Sequence, residues 1–274
     1  MANIHFYVDF SKIHFFIDYI NSITVNYPSV KVITDYTALN NILINSNDKI
    51  ICVQYVPHFI NIQLYKNRIL LLNTEQLSKQ EWITTIKNYI NNGIKYVDYS
   101  KANIVCLNSN SINNDLYLPY LVNRNEIFNY DKIYDVAYIG EFGDDYRLNV
   151  VNNLKNKNVS LSQIVGFDKT RDEHLFKHKI ALNIHFNERF KIFEQMRCNR
   201  CVFNKMIVIT EKSLDVDYEL KPYIIECDYD ELVDTVIDVL ENYDFYYNKL
   251  FDNFNIEQIQ ENYLKISDQF MDYL

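Results

Sequence analysis

The chain has 274 residues, of which 48% are hydrophobic and 23% charged, with 23 Tyr and 17 Phe but only 4 Gly and 4 Pro. This composition excludes disordered, collagen-like and linker-like chains, and the length allows one large domain or two small ones. A formal net charge of -9, with no basic stripe, argues against a nucleic-acid partner while allowing a locally basic pocket for one phosphate compound.

Asn and Ile are both far above average usage, which reads as AT-rich coding of the kind found in some low-GC bacteria, parasites and large DNA viruses. No stretch approaches 18 apolar residues, so no transmembrane helix is expected. The start, Met1-Ala2-Asn3-Ile4-His5, lacks a basic region and a long apolar run, so no signal peptide is expected. The odd count of 5 Cys fits reduced thiols and a cytoplasmic location.

Short apolar runs alternate with amphipathic segments, the pattern of a parallel α/β protein. In chain order the spacing predicts strands at Ile4–Val8, Val30–Thr34, Lys49–Val56, Arg68–Asn73 and Ile104–Leu107. Helices are predicted between them at Phe10–Ser22, Ala38–Asn45 and Lys79–Gly93. Runs such as Ile50-Ile51-Cys52-Val53 are apolar on both faces, as buried parallel strands are. Pro119–Lys132 interrupts the rhythm as a linker does. The pattern then restarts, with strands at Asp135–Ile139, Ser160–Val165, Ile180–Phe186, Met206–Thr210 and Tyr223–Cys227. Helices are predicted at Asp145–Asn156, Arg171–Lys177, Phe190–Phe203 and Asp230–Asn242, and Asp244–Leu274 reads as one or two acidic amphipathic helices. The expected domains are 1–125 and 126–274.

Cys198-Asn199-Arg200-Cys201 is a lone CxxC, which cannot close a four-ligand zinc site, and it reads as two buried thiols on a helix. Asp215-Val216-Asp217 and Asp228-Tyr229-Asp230 are DxD patterns that could hold a divalent cation. Such patterns arise by chance in an acidic chain, and Asp230 reads as a helix N-cap. No metal site is expected.

Gly140 follows a predicted strand and leads through Gly143 into a helix. There a backbone free of Cβ can approach a ligand, and helix N–H groups can face phosphate. Asn183 and His185 alternate near the end of another predicted strand, which aims both to one side. Glu194 and Arg197 are three apart on the next predicted helix, and Glu211 ends the strand after it. His, Glu, Glu and Arg are thus expected at one rim of an α/β sheet, where such sheets bind ligands.

These segments carry a family resemblance. The run Lys179-Ile180-Ala181-Leu182-Asn183-Ile184-His185-Phe186, then Ile192-Phe193-Glu194-Gln195-Met196-Arg197-Cys198, then Val208-Ile209-Thr210-Glu211, resembles the donor-binding half of GT-B glycosyltransferases. It is most similar to compact family-4-like and spore-coat-type enzymes of bacteria and large viruses. Asp135–Gly140 with Arg147, and Tyr229-Asp230-Glu231-Leu232, support it. In the first half Leu72-Asn73-Thr74-Glu75-Gln76 and Asp98–Ile104 are similar to segments that precede this domain in such proteins.

The resemblance implies two Rossmann-like domains with a cleft between them, the first on the acceptor side and the second binding a nucleotide-diphosphate sugar such as a UDP- or GDP-sugar. It implies transfer to a glycan, lipid or protein acceptor, with no metal and no further cofactor. Glu194 matches the second Glu of the family's E-x7-E motif, which holds the ribose hydroxyls. The residue eight before it is Phe186, so His185 or Asn183 would stand in for the first Glu. Gly140, Arg147, Asn183, Arg197 and Glu211 complete the expected donor site. His58 and His185 are the candidate catalytic residues, His58 as the base an inverting transfer needs. The alternatives are a non-catalytic GT-B-like nucleotide- or glycan-binding or interaction protein, and a sugar-nucleotide epimerase of similar architecture.

Overall fold

The computed structural model describes residues 2–143, 145–167, 169–214 and 218–274. The chain divides into two compact units, residues 1–123 with 260–274, and residues 124–259.

The first unit runs β1 (Ile4–Tyr7), α1 (Ile13–Asn26), β2 (Lys31–Ile33), α2 (Tyr36–Asn45), β3 (Lys49–Val53), α3 (Ile62–Tyr65), β4 (Ile69–Asn73), α4 (Gln80–Asn91), β5 (Lys95–Asp98) and α5 (Lys101–Ser109). Its five strands are all parallel, in the order β2-β1-β3-β4-β5. Every residue of β4 is buried, and in β3 only Lys49 is not, as continuous apolar runs require when both faces of a sheet are covered. α1 buries Phe16, Tyr19, Ile20 and Ile23, the period of one helical face.

The second unit runs β6 (Tyr134–Ile139), α6 (Asp145–Asn156), β7 (Leu161–Ile164), α7 (Lys169–Leu175), β8 (His178–Asn183), α8 (Gln195–Phe203), β9 (Ile207–Glu211), β10 (Ile224–Cys227), α9 (Leu232–Glu241), α10 (Tyr243–Phe251) and α11 (Ile256–Tyr273), whose last part belongs to the first unit. Its sheet is again all parallel, in the order β10-β9-β8-β6-β7. Read from β7, this is the same arrangement as in the first unit: second strand, first, third, fourth, fifth. Both units are Rossmann-like. In this order the chain reverses direction across the sheet between the first and third strands, and the carboxyl ends of those two strands open a crevice. In the second unit the two strands are β6 and β8.

Several expectations are corrected. Ile104–Leu107 is not a strand but part of α5, and the strand at that place is β5, which the sequence reading omitted. A four-residue apolar run fits either element. Here the Asp98 carboxylate takes the Ser100 N–H at 2.8 Å and turns the chain into a helix that buries Ala102, Asn103 and Leu107. The helix expected from Phe190 begins only at Gln195. Ile192 and Phe193 are buried side by side, and Leu214 N–H bonds the Lys191 carbonyl at 2.7 Å, so this stretch docks as extended chain. Asp230 is not the N-cap of α9, a place that Glu231 takes, and Asp228 caps the short 3-10 turn Tyr229–Glu231 just before it in a reciprocal capping box with Glu231. The Asp215–Asp217 pattern lies outside the described residues.

The expected second domain, 126–274, differs from the division by its last segment. Residues 260–274 join the first unit, where Gln260 Oε1 accepts from Val122 N–H at 2.9 Å and Gln260 Nε2 donates to Asn26 Oδ1 at 2.7 Å. No helix among the described residues is long and apolar enough to cross a membrane.

Candidate active site

At the crevice of the second unit, β6 ends on Ile139 and Gly140 follows with φ +106°, a left-handed conformation that side chains rarely adopt. Its N–H bonds the Ile164 carbonyl at 3.0 Å and its carbonyl accepts from Gln163 Nε2 at 2.9 Å, so β7 holds the turn. A Cβ at Gly140 would lie 3.8 Å from Arg197 Nη2, an ordinary contact, so it is the backbone angle that calls for glycine here. Gly143 (φ +72°) is also closed by space: a Cβ there would come within 2.9 Å of the Phe186 ring.

Asn183 closes β8 and is 1% exposed. Its Nδ2 donates to Thr210 Oγ1 at 2.9 Å, which fixes the amide so that Oδ1 accepts from Arg197 Nη1 at 3.2 Å. Arg197 lies in the first turn of α8. Asn183 and Gly140 therefore locate its guanidinium at the crevice, beside the amino end of a helix. Glu194 is the N-cap residue of α8: its carbonyl accepts the N–H groups of Arg197 and Cys198, at 3.0 and 2.9 Å, while its carboxylate makes no capping bond. A carboxylate there is favoured by the helix dipole.

His185 lies two residues past β8, not on it, so the expected strand alternation with Asn183 does not apply. Burial pushes its imidazole below the ordinary histidine range, against the pull of Glu211. Nε2 sits 3.2 Å from the Lys212 carbonyl, which assigns the Nε2–H tautomer and leaves the buried Nδ1 as an acceptor with no partner among the described residues.

Glu211 ends β9, 5% exposed. Oε1 accepts from the Tyr146 hydroxyl at 2.6 Å and Oε2 from the His185 N–H at 3.2 Å. Tyr146 stacks on Tyr229 at 4.1 Å, and Tyr229 bonds the Tyr146 carbonyl. Arg147 is buried: Nε donates to the carbonyls of Ile184 and His185, Nη1 to that of Glu141, and the guanidinium lies 5.1 Å from the Phe186 ring centre. Glu211 and Arg147 thus brace the chain around the crevice, with polar atoms already held by their own protein.

Seven of the eight sequence candidates, Gly140, Arg147, Asn183, His185, Glu194, Arg197 and Glu211, gather at or brace the β6/β8 crevice. His58 belongs to the first unit, in an exposed turn beyond β3 with its ring edge-on to Phe59. The sequence reading missed Tyr146, Thr210 and Tyr229. Only the register of three strands and the start of α6 reveals them. Cys198 and Cys201 are both buried free thiols, pushed up by burial. Among the described residues no three His, Cys, Asp or Glu side chains cluster as a metal site.

Two Rossmann-like units, the second with a guanidinium, a helix amino end and a carboxylate at its switch-point crevice, define an α/β protein. The chain belongs to the same family as the uncharacterized protein R358 of Acanthamoeba polyphaga mimivirus, with 30% identity over 78% of this chain and 80% of that protein. Two further proteins of the same virus are similar: L140, 33% identical over 64% of this chain, and L138, 28% identical over 86% of it. The chain spans 60% of L140 and 28% of L138. No family model matches. Among solved structures, a crystal structure of TarM aligns with 90% of this chain and 58% of that one, at 12% identity and a TM-score of 0.47. A likeness at that level leaves function to be argued from the residues.

Proposed function

We propose that the protein is a GT-B-type glycosyltransferase that moves a sugar from a nucleotide-diphosphate sugar to an acceptor, with no metal. The observation that carries this reading is the position of Arg197. Its guanidinium is held by Asn183 against Gly140, at the switch point of the sheet and in the first turn of α8. Transfer breaks the bond between the anomeric carbon and a diphosphate oxygen, and negative charge grows on that oxygen. A fixed cation and the positive end of a helix dipole stabilise such charge without reorganisation. Glu194, at the same helix end, would accept hydrogen bonds from the two ribose hydroxyls. The unpartnered Nδ1 of His185 would accept from a donor-sugar hydroxyl. In an inverting reaction His58 would take the acceptor proton.

Calorimetric titration of wild type and Glu194→Ala with UDP and GDP tests the reading. The variant should bind whichever nucleotide the wild type binds about ten- to a hundredfold more weakly, since each charged hydrogen bond is worth roughly 1.5–3 kcal/mol. Equal affinities would remove the ribose assignment. Turnover of donor with candidate acceptors then separates an enzyme from a protein that only binds.

A further inference from the structure

The first unit carries a second constellation, at the carboxyl ends of β1 and β2. Tyr7 is in register with Ile33, and Val8 N–H bonds the Ile33 carbonyl at 3.0 Å. Counting on from that pair, Asp9 and Asp35 both stand two residues beyond it, and Phe10 and Tyr36 both stand three beyond it. Two Asp–aromatic dipeptides therefore leave neighbouring strands side by side. With Tyr7 and Thr34 they line a cavity of about 330 Å³, and every one of these residues belongs to the first unit. The lining thus combines aromatic rings with two carboxylates and, among the described residues, holds no Lys, Arg or His. Phe10 is 77% exposed and Tyr36 63%. Large aromatic rings left in water around a cavity mark a place of interaction. Lys12, the cation nearest in sequence, is engaged elsewhere. Its ammonium bonds Gln54 Oε1 at 3.0 Å and lies 5.2 Å from the Tyr55 ring centre, and neither partner lines the cavity.

We propose that this cavity binds a quaternary ammonium group, the trimethylammonium head of a choline-type molecule or of a trimethylated lysine side chain. Aromatic rings attract a cation to their faces, and quaternary ammonium is the cation such lined sites suit best. The carboxylates select the same kind of ion. Asp9 already accepts from the Ser11 N–H at 2.9 Å, the Ser11 hydroxyl at 2.6 Å and the Tyr55 hydroxyl at 2.7 Å. Those bonds hold its carboxyl below the ordinary range, so its charge is present while three of its about four lone-pair sites are taken. Asp35 accepts from the Thr37 N–H at 2.7 Å. The pair therefore offers negative field more than vacant acceptors. A primary ammonium needs acceptors for its N–H groups and a hard metal ion needs oxygen ligands, whereas a quaternary ammonium needs only the field. That field reaches into the cavity. Burial first raises the hydroxyl of Tyr7, and Asp9, Cys52 and Asp35 raise it further. The same field disfavours an anion. The inference is independent of the proposed transfer reaction and uses no residue of the second unit.

The test needs no nucleotide and no turnover. Saturation-transfer NMR titrations of the whole chain would use tetramethylammonium, choline and the N-acetyl methylamide of trimethyllysine. At least one should bind, and the tighter of the last two names the source of the group. The matching neutral probe, with a tert-butyl group in place of trimethylammonium, should bind at least about tenfold more weakly, because it keeps the shape and loses the charge. Asp35→Asn should also weaken binding about tenfold. Asparagine caps a helix as well as aspartate does, so this variant keeps the Thr37 N–H bond that starts α2. Tyr36→Ala should weaken binding severalfold, the scale of one lost cation–ring contact. Phe15→Ala, exposed on α1 but not lining the cavity, should bind as wild type does. Binding by none of the three cations overturns the inference. So does equal binding of the charged and neutral probes, or equal binding by wild type and either Asp35→Asn or Tyr36→Ala. Loss of the nucleotide reading would leave a positive result standing, because no nucleotide is present.

Discussion

The Tyr146 hydroxyl donates to Glu211 Oε1 at 2.6 Å, and that bond joins the first turn of α6 to the end of β9. Glu211 Oε2 takes the backbone N–H of His185, so one buried carboxylate gathers three segments that follow or flank β6, β8 and β9. The Tyr146 hydroxyl is pushed far up, by burial first and then by Glu211, and it remains a donor at any ordinary pH. Tyr146→Phe leaves a buried carboxylate short of one donor, which costs about 1–3 kcal/mol. The urea midpoint of the second unit should fall accordingly. An unchanged midpoint would show that the bond does not stabilise the crevice.

Arg197 is the cation placed at the crevice, and its loss should be felt by the ligand more than by the fold. Arg197→Ala should weaken binding of UDP or GDP by about ten- to a hundredfold, the range of one or two charged hydrogen bonds. Arg197→Lys should recover only part of this. A guanidinium can bond Asn183 with one nitrogen and a phosphate oxygen with another, whereas an ammonium is a single point charge. Titration calorimetry on both variants checks the order wild type, Lys, Ala. Equal affinity for wild type and Ala would remove Arg197 from the site.

Asp98 gives the first unit a pH dependence of known sign. Its carboxylate is buried at the end of β5 and accepts from Ser100 N–H, Asn73 Nδ2, Asn103 Nδ2 and the Tyr96 hydroxyl. Burial pushes it up to about 7 against the pull of those four donors. A carboxyl raised in the folded state keeps its proton there more readily than in the unfolded chain. Its contribution is therefore full below the ordinary value of 3.8 and is lost as pH rises through about 7. Urea midpoints of wild type and Asp98→Asn from pH 4 to 8 should show a falling component in the wild type that the variant lacks. Parallel curves would mean that Asp98 is ionised throughout.

The CxxC thiols should be inert in the folded state. Burial raises both Cys198 and Cys201, and the thiolate is the form that reacts. In native protein a disulfide reagent should label the half-buried Cys106 first, and Cys198 and Cys201 only after denaturant is added. Rapid native labelling of Cys198 or Cys201 would show that α8 opens readily.

The alternation of apolar runs and amphipathic segments was enough to read two parallel α/β halves, because buried parallel strands must be apolar on both faces and the helices covering them on one. β3, β4, β6 and β9 were legible within a few residues for that reason. Ile104–Leu107 was misread because four apolar residues satisfy either period. What settles it is the Asp98 carboxylate meeting Ser100 N–H, a contact that periodicity does not carry. The rim candidates were legible as residue types at strand ends. Their separate roles were not. Glu194 and Glu211 look alike in sequence, yet one stands at a helix amino end and the other is held by Tyr146 and His185. Arg147 and Arg197 look alike too, and one grips backbone carbonyls while the other lies against Gly140. Those distinctions depend on strand order and register, which decide which side chains 14 to 65 residues apart come within hydrogen-bond reach. Local sequence sets the element. Only the packed sheet decides which polar atoms other groups of the protein already satisfy.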